Sequence, residues 1–273
     1  MTDWMASAAD AEPPETSVTL DPDIPSVARM YDFFLGGKDN FASDRRAAEE
    51  VSRALPSVAG VARSNRLFLQ RAVRFVAESG IDQFLDLGAG LPTQGNVHEI
   101  AQSVHADARV VYVDNDPVVS SHGRALLALD EQTAVVEADM RDPDAILGDP
   151  HVTKLIDFDR PLCVLFVAVL HFIPDQEDPA ALVRRYRDAL RPGGQVILSH
   201  AAVEERRNVE VGAAYRSASA SSPFVARTRE QVTSFLDGME IVDPGVVLLH
   251  EWRPEGGEFP TDAGWTAVAR KTV

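Results

Sequence analysis

An α/β fold, with a buried and mostly parallel sheet behind a helical N-terminal region, is what three observations predict for this chain of 273 residues. From Phe84 onward, short apolar or β-branched runs recur (QFLDLG, RVVYVD, TAVVEAD, LCVLFVAV and GQVILSHA), as strands buried on both faces do. Stretches with helix signals separate them, which a parallel sheet needs because each strand must be carried back across it. Between Pro25 and Glu78 the period is helical instead, with Val51 and Leu55 four apart and Leu69, Val73 and Val76 on one stripe.

The helix boundaries are well marked. Asp116–Pro117 before VVSSHGRALLAL and Asp178–Pro179 before AALVRRYRDAL place a capping Asp ahead of a first-turn proline. Thr228 and Gln231 form a capping box ahead of Val232, Phe235 and Leu236. Pro192–Gly193–Gly194 stops the preceding helix and leads into the next strand. Two last runs, DPGVVLLHEW and GWTAVARK, read as a closing pair of strands. The expected organisation is a disordered tail over residues 1–22, a helical cap over 23–80, and an α/β domain over 81–273 carrying an insertion at 203–227.

Composition excludes several classes. No apolar run approaches the roughly 20 residues of a membrane helix, and the start MTDWMASAADAEPPETS lacks the basic-then-apolar order of a signal peptide. A cytoplasmic protein without a membrane partner is expected. The net charge of −16 opposes tight nucleic-acid binding, which draws its affinity from Lys and Arg on phosphates. Arg63, Arg66, Arg71 and Arg74 are close enough to form a basic patch, but read more simply as the solvated face of a helix whose other face carries Phe68, Ala72, Phe75 and Val76. The single cysteine, Cys163, lies in LCVLFVAVL and reads as a small buried hydrophobe. No Cys/His cluster or close set of carboxylates suggests a metal.

The sharpest local signal is FLDLGAGLPT, Phe84 to Thr93, where a strand runs into Gly88–Ala89–Gly90 and then towards a helix around NVHEIAQSV. Glycines there let the backbone turn tightly and approach a ligand. A dinucleotide is disfavoured, because Thr93 replaces the third glycine of G-x-G-x-x-G and Pro92 disturbs a pyrophosphate cradle. The second strand ends at VYVDND, where Asp114 is placed to accept two hydrogen bonds from ribose hydroxyls while Asp116 caps the helix. The third ends at EADMRDP, where Asp139 can accept from an adenine amino group and Met140 can pack on the ring.

Asp86 with the glycines, then Asp114, Asp139, FVAVLHFIPD and RPGGQVIL resemble in their order the motifs of class I S-adenosylmethionine-dependent methyltransferases. The strings PSVARMYDFFLGGKDNFASDRRAAEEV, ARSNRLFLQRAV and GIDQFLDLGAGLPTQGNVHE narrow the match to the actinobacterial S-adenosyl methyltransferase family DUF574, over nearly the whole chain after about residue 24. The resemblance implies a Rossmann-like, seven-stranded, mostly parallel sheet with an antiparallel last strand, a helical N-terminal cap, and S-adenosylmethionine as cofactor with S-adenosylhomocysteine as product. It implies cofactor contacts along the strand ends at Asp86, Gly88, Ala89, Gly90, Asp114, Asn115, Asp139, Met140 and Val167. It implies no particular acceptor; a small molecule is expected.

The segment YDFFLGGKDNF then has a role over the cofactor, whose sulfonium, ammonium and carboxylate need a roof with aromatic groups and donors. Tyr31 and Phe34 are expected to cover the cofactor or acceptor, with Gly36 and Gly37 folding the chain over the glycine turn. Lys38 or Asn40, and Arg63 and Asn65 from the next helix, are expected to reach the cofactor's polar end. Methyl transfer needs alignment and exclusion of water more than it needs a base. Where the acceptor carries a proton, His171, just past the fourth strand, is the first candidate to take it and Tyr31 the second. His98 is expected to orient the glycine turn, and Tyr215, Arg216 and Phe224 to lie near the acceptor. A non-catalytic binder of the cofactor or its product is the alternative reading, and a nicotinamide oxidoreductase ranks below it.

Overall fold

The structure, a computed structural model, describes residues 21–92, 95–126, 131–202, 205–217 and 223–273. All of the expected tail except Asp21 and Pro22 lies outside the described residues. Three helices open the chain: α1 (Val27–Leu35), α2 (Ala42–Ala54) and α3 (Val58–Glu78). There follow β1 (Gln83–Leu87), α4 (Val97–Val104), β2 (Arg109–Asp114), α5 (Pro117–Leu126), β3 (Thr133–Glu137), α6 (Pro143–Leu147) and α7 (Pro150–Leu155). The second half holds β4 (Cys163–Val167), α8 (Pro179–Ala189), β5 (Gln195–Ala201), α9 (Glu205–Ser217), α10 (Arg229–Ser234), β6 (Glu240–Ile241), β7 (Val247–Leu248) and β8 (Gly264–Arg270).

Strands β1 to β5 pair in parallel in the order β3-β2-β1-β4-β5, and β8 joins β5 antiparallel from Gln195↔Arg270 to Ala201↔Gly264. Because β5 occupies one edge of β8 along its whole length, β6 and β7, both antiparallel to β8, share the other. The seventh position of the sheet is therefore one interrupted edge strand, and the count rises to eight. The break falls at Asp243–Pro244–Gly245, where proline has no amide to give to a ladder and Gly245 takes φ +94°. DPGVVLLHEW thus contributes its expected strand only at Val247–Leu248.

Side chains alternate across the sheet as its pleat dictates. Leu85, Leu87, Val111, Val113, Val164, Phe166, Val196 and Leu198 join a core with Leu182, Val183 and Tyr186 of α8. Phe84, Val110, Cys163, Leu165 and Ile197 face the other way, onto Phe68, Leu69, Ala72, Val73 and Val76 of α3 and Ile100 of α4. Burial on both faces explains the unbroken apolar runs, and it puts Cys163 in the core with its thiol pKa pushed well up by burial. The α3 helix is thus a layer of the sheet, while α1 and α2 pack with Val211 and Tyr215 of α9 in a separate apolar cluster above it. The caps form as the residue pattern predicts: Asp116 accepts from the Val118 amide, Asp178 from the Ala181 amide, and Thr228 and Gln231 close their box. No helix among the described residues is long and apolar enough to cross a membrane.

The four arginines of α3 do not form one surface. Arg63 is exposed and Arg74 pairs with Glu255, but Arg71 is buried, donating to the carbonyls of Trp252 and Leu249 and pairing with Glu258. Arg66 turns inward to the site described next.

Candidate active site

A cavity of about 470 Å³ opens at the C-terminal ends of β1, β2, β4 and β5, beneath α1. Strand ends are where parallel sheets bind ligands, because the chain turns away there and leaves backbone and side chains converging on one crevice. Its floor is the glycine turn. The amides of Gly88 and Ala89 donate to Val113 O of β2, and a Cβ on Gly88 (φ +72°) would collide with Val169, so this glycine lets the turn pack on its neighbour. Gly90 (φ +66°) differs: a Cβ there would meet no protein atom within 4 Å, and it lines the cavity.

Two carboxylates sit beside the turn. Asp114 accepts from the Gly90 amide through Oδ2 at 2.8 Å and from the Asp116 amide through Oδ1 at 2.9 Å. Burial lifts its pKa to about 6, against the pull of those amide bonds. Asp86, next to last in β1, is lifted to about 7, first by burial and further by Asp114, with Arg66 working in the opposite direction. The Arg66 guanidinium reaches Asn96 Oδ1 at 3.0 Å through Nη2, while its buried Nε has no partner. Asp139 also lines the cavity; burial raises its carboxyl pKa, but a bidentate pairing with Arg141 and the Arg141 amide outweigh that and hold it below the ordinary value. Met140, Asn115 and Val167 complete this end.

The roof is tied to the floor by two sets of bonds. In one, the Ala168 amide donates to Ser199 Oγ, Ser199 Oγ to Asn65 Oδ1 at 2.6 Å, Asn65 Nδ2 to Tyr31 Oη at 2.9 Å, and Tyr31 Oη to Ala62 O at 3.0 Å. Burial raises the Tyr31 pKa, so the phenol stays neutral with its proton committed to a carbonyl. Tyr31 lines the cavity with its hydroxyl held between Asn65 and Ala62 O. In the other, the buried Arg29 forks to Asp44 at 2.8 Å, to Asp116 at 3.2 Å and to Ile24 O, with its plane 4.9 Å from the centre of the Phe41 ring. Phe34 is buried against this roof and reaches the cavity.

Gly37, Lys38 and Arg63 do not reach the cavity. The LGGKDN turn is organised around Asp32 instead, whose carboxylate accepts from the Asp39 amide and Asn40 Nδ2 while its carbonyl accepts from the Gly37 amide. A Cβ on Gly37 would overlap the Asp32 carboxyl, which accounts for that glycine; Asn40 is buried in the same turn and Lys38 points to solvent. His98 engages Tyr112 of β2, through its amide and Nδ1.

At the far end of the cavity stands His171, on a 3-10 turn (Leu170–Phe172) that follows β4. Burial, with help from His200 and Arg227, holds its pKa well below the ordinary value, so the ring is neutral, and its buried Nδ1 has no protein partner. The turn is clamped by the buried Arg227, which donates to Leu170 O and Ile173 O on either side of His171 and pairs with Asp175. His200 accepts from Arg227 through Nε2 and donates from Nδ1 to Ala201 O, a neutral tautomer whose pKa burial lowers to about 3. Phe172, Tyr215 and Phe224 stand around His171, and Arg216 remains outside the cavity, exposed.

Sequence reading missed Arg66, Ser199, Arg29 and Arg227. Arg66 was within reach: on a helix it lies one residue from Asn65 and three from Leu69, on the stripe that α3 buries. The others act across 87, 134 or 54 residues and leave no local periodic trace.

The profile of the S-adenosyl methyltransferase family matches residues 13–272 of the chain. A Thermobifida fusca YX protein of known structure is similar at 42% identity over 92% of this chain and 96% of that one, with a TM-score of 0.87. A DUF574 family protein from Streptomyces avermitilis is similar at 38% identity over 92% and 99%, again with a TM-score of 0.87. Human N-acetylserotonin methyltransferase, solved in complex with S-adenosylmethionine, shares the fold at 15% identity over 93% of this chain and 72% of that one, with a TM-score of 0.51. No curated protein matches the chain.

Proposed function

Because the chain belongs to the S-adenosyl methyltransferase family, we propose that it transfers the methyl group of its cofactor, S-adenosylmethionine, to a small-molecule acceptor. The observation that carries this reading is the continuity of the cavity: one space of about 470 Å³ is lined both by Gly90 and Asp114 and by His171 and Phe224. A volume of that order lies within the range of small-molecule sites.

The residues present fit the cofactor. Gly90 leaves open the space that a side chain would fill, which permits close approach of a ligand to the backbone, and Asp114 keeps lone pairs beyond its two amide bonds for a ribose diol. The unpartnered Nε of Arg66 and the neighbouring Asp86 suit a carboxylate and an ammonium group respectively. Asp139 and Met140 are assigned to the adenine. When bound, S-adenosylmethionine supplies a methyl group whose bond to sulfur breaks with both electrons passing to sulfur, as an acceptor lone pair forms the new bond to carbon. Tyr31 and Phe34 exclude water from above, and the Asn65–Ser199 bonds hold Tyr31 in place. His171 Nδ1, neutral and without a partner, is placed to hold the proton that an acceptor hydroxyl or N–H gives up.

The test is incubation of the protein with methyl-labelled S-adenosylmethionine and a small-molecule extract of an actinobacterium. Enzyme-dependent label in an extracted compound is expected, and Gly90→Val should abolish it. Label that stays on the cofactor with every extract would overturn the reading.

A further inference from the structure

The far end of the cavity has a chemical character of its own. Tyr215 and Phe224 stack with ring planes 2° apart and centroids 5.0 Å apart, and Phe172 meets them edge-on at 5.7 and 6.1 Å. His171 leans on Phe172 at 4.4 Å and on Phe224 at 5.3 Å. Val51, Leu55, Val58 and Val211 also line the cavity and share one apolar cluster with the rings of Phe172, Tyr215 and Phe224. A phosphate or a carboxylate would find no cation among these side chains, whereas a flat ring continues the stack. Within this apolar wall, His171 Nδ1 is buried and unpaired. A buried polar atom is costly to leave unpaired, which favours a ligand that brings a polar group to meet it.

We propose, resting on the methyl-transfer reading, that the acceptor is a planar aromatic compound bearing a hydroxyl or N–H group, with its ring against the wall of Phe172, Tyr215 and Phe224 and that group hydrogen-bonded to His171 Nδ1. The nucleophilic atom is then the oxygen or nitrogen attached to the ring. Its lone pair forms the bond to the methyl carbon, its proton passes to His171, and the electrons of the broken carbon–sulfur bond remain on the departing thioether. Arg227 acts here as a positioning residue, since it grips the carbonyls on both sides of His171.

The experiment is calorimetric titration of the full chain, with and without saturating S-adenosylhomocysteine, using three probes: 2-naphthol, its saturated counterpart decahydro-2-naphthol, and 2-methoxynaphthalene. The naphthol should bind about tenfold tighter than the saturated alcohol, since only the flat ring stacks. Phe224→Leu, which keeps an apolar side chain, should remove most of that preference while S-adenosylhomocysteine affinity stays within about twofold. The naphthol should also bind tighter than its methyl ether, and His171→Phe should erase that difference. Equal binding of naphthol and decahydronaphthol, equal binding of naphthol and its ether, or no binding of any probe would overturn the proposal. An equal loss of S-adenosylhomocysteine in Phe224→Leu would assign the ring wall to the cofactor and overturn it too. Ring preference that persists in a protein with no affinity for S-adenosylhomocysteine would support the aromatic subsite and count against the cofactor reading alone.

Discussion

The amide of Gly90 donates to Asp114 Oδ2 at 2.8 Å, so the turn that ends the first strand and the acid that ends the second form one unit. Neither is set without the other. The turn is held on the second strand by Val113 O and Asp114 together, and Asp114 is oriented by the turn.

Gly90→Ala should therefore separate folding from binding. The added methyl meets no protein atom within 4 Å, and its cost is the left-handed backbone, about 1–3 kcal/mol. The variant should remain folded by circular dichroism and lose most of its cofactor affinity. Full affinity would mean that the ligand does not approach this backbone.

Stability of the ligand-free protein should carry the signature of Asp86 and Asp114. Unfolded, both lose their protons near pH 4; folded, burial delays this to about 7 and about 6. Between those limits the folded state binds more protons, so the stability these groups contribute is fully present below about pH 4 and is lost as pH rises through about 6 to 7. Buried neutral His171 and His200 act in the opposite sense, losing stability as pH falls below about 6.5. Comparison with the Asp86→Asn/Asp114→Asn double variant isolates the carboxylates: its melting temperature should gain on the wild type between about pH 5 and pH 8. A constant difference across that range would refute the assignment.

Arg29 carries the roof. It is 3% exposed and faces two carboxylates, so Arg29→Ala strands Asp44 and Asp116 without their cation and should cost about 3–5 kcal/mol in urea unfolding. Arg29→Lys should recover little, because one ammonium cannot reproduce a fork that reaches Asp44, Asp116 and Ile24 O. Wild-type stability in the alanine variant would show that the roof does not depend on this residue.

Tyr31→Phe distinguishes an anchor from a base. Loss of the hydroxyl removes the bond to Ala62 O and strands Asn65 Nδ2, a cost of about 1–3 kcal/mol. The pH profile of methyl transfer should keep its shape. Disappearance of a titrating limb in the variant would restore Tyr31 as the proton acceptor.

Local chemistry was legible and long-range chemistry was not. Strands that alternate across two cores and the Asp116 and Asp178 caps follow from residues within a few positions of each other. The glycine turn and Asp114 each mark the end of their own strand, although the bond that joins them spans 24 residues. The choice between Arg63 and Arg66 depends on how α3 is rotated about its axis, which Phe68, Leu69 and Ala72 settle by burying themselves on the sheet. Gly37 and Lys38 stand outside the cavity because the turn that holds them closes on Asp32, five residues before Gly37. The interrupted edge strand and the grip of Arg227 on the His171 turn exist only once β8 and the chain after α9 have docked.

The most direct test is a calorimetric titration of the wild type and Asp114→Ala with S-adenosylhomocysteine. Micromolar binding by the wild type is expected. A loss of about tenfold or more should follow from removing a charged acceptor whose hydrogen bonds are worth about 1.5–3 kcal/mol each. No binding by the wild type, or equal binding by both proteins, would contradict the placement of the cofactor at Gly90 and Asp114.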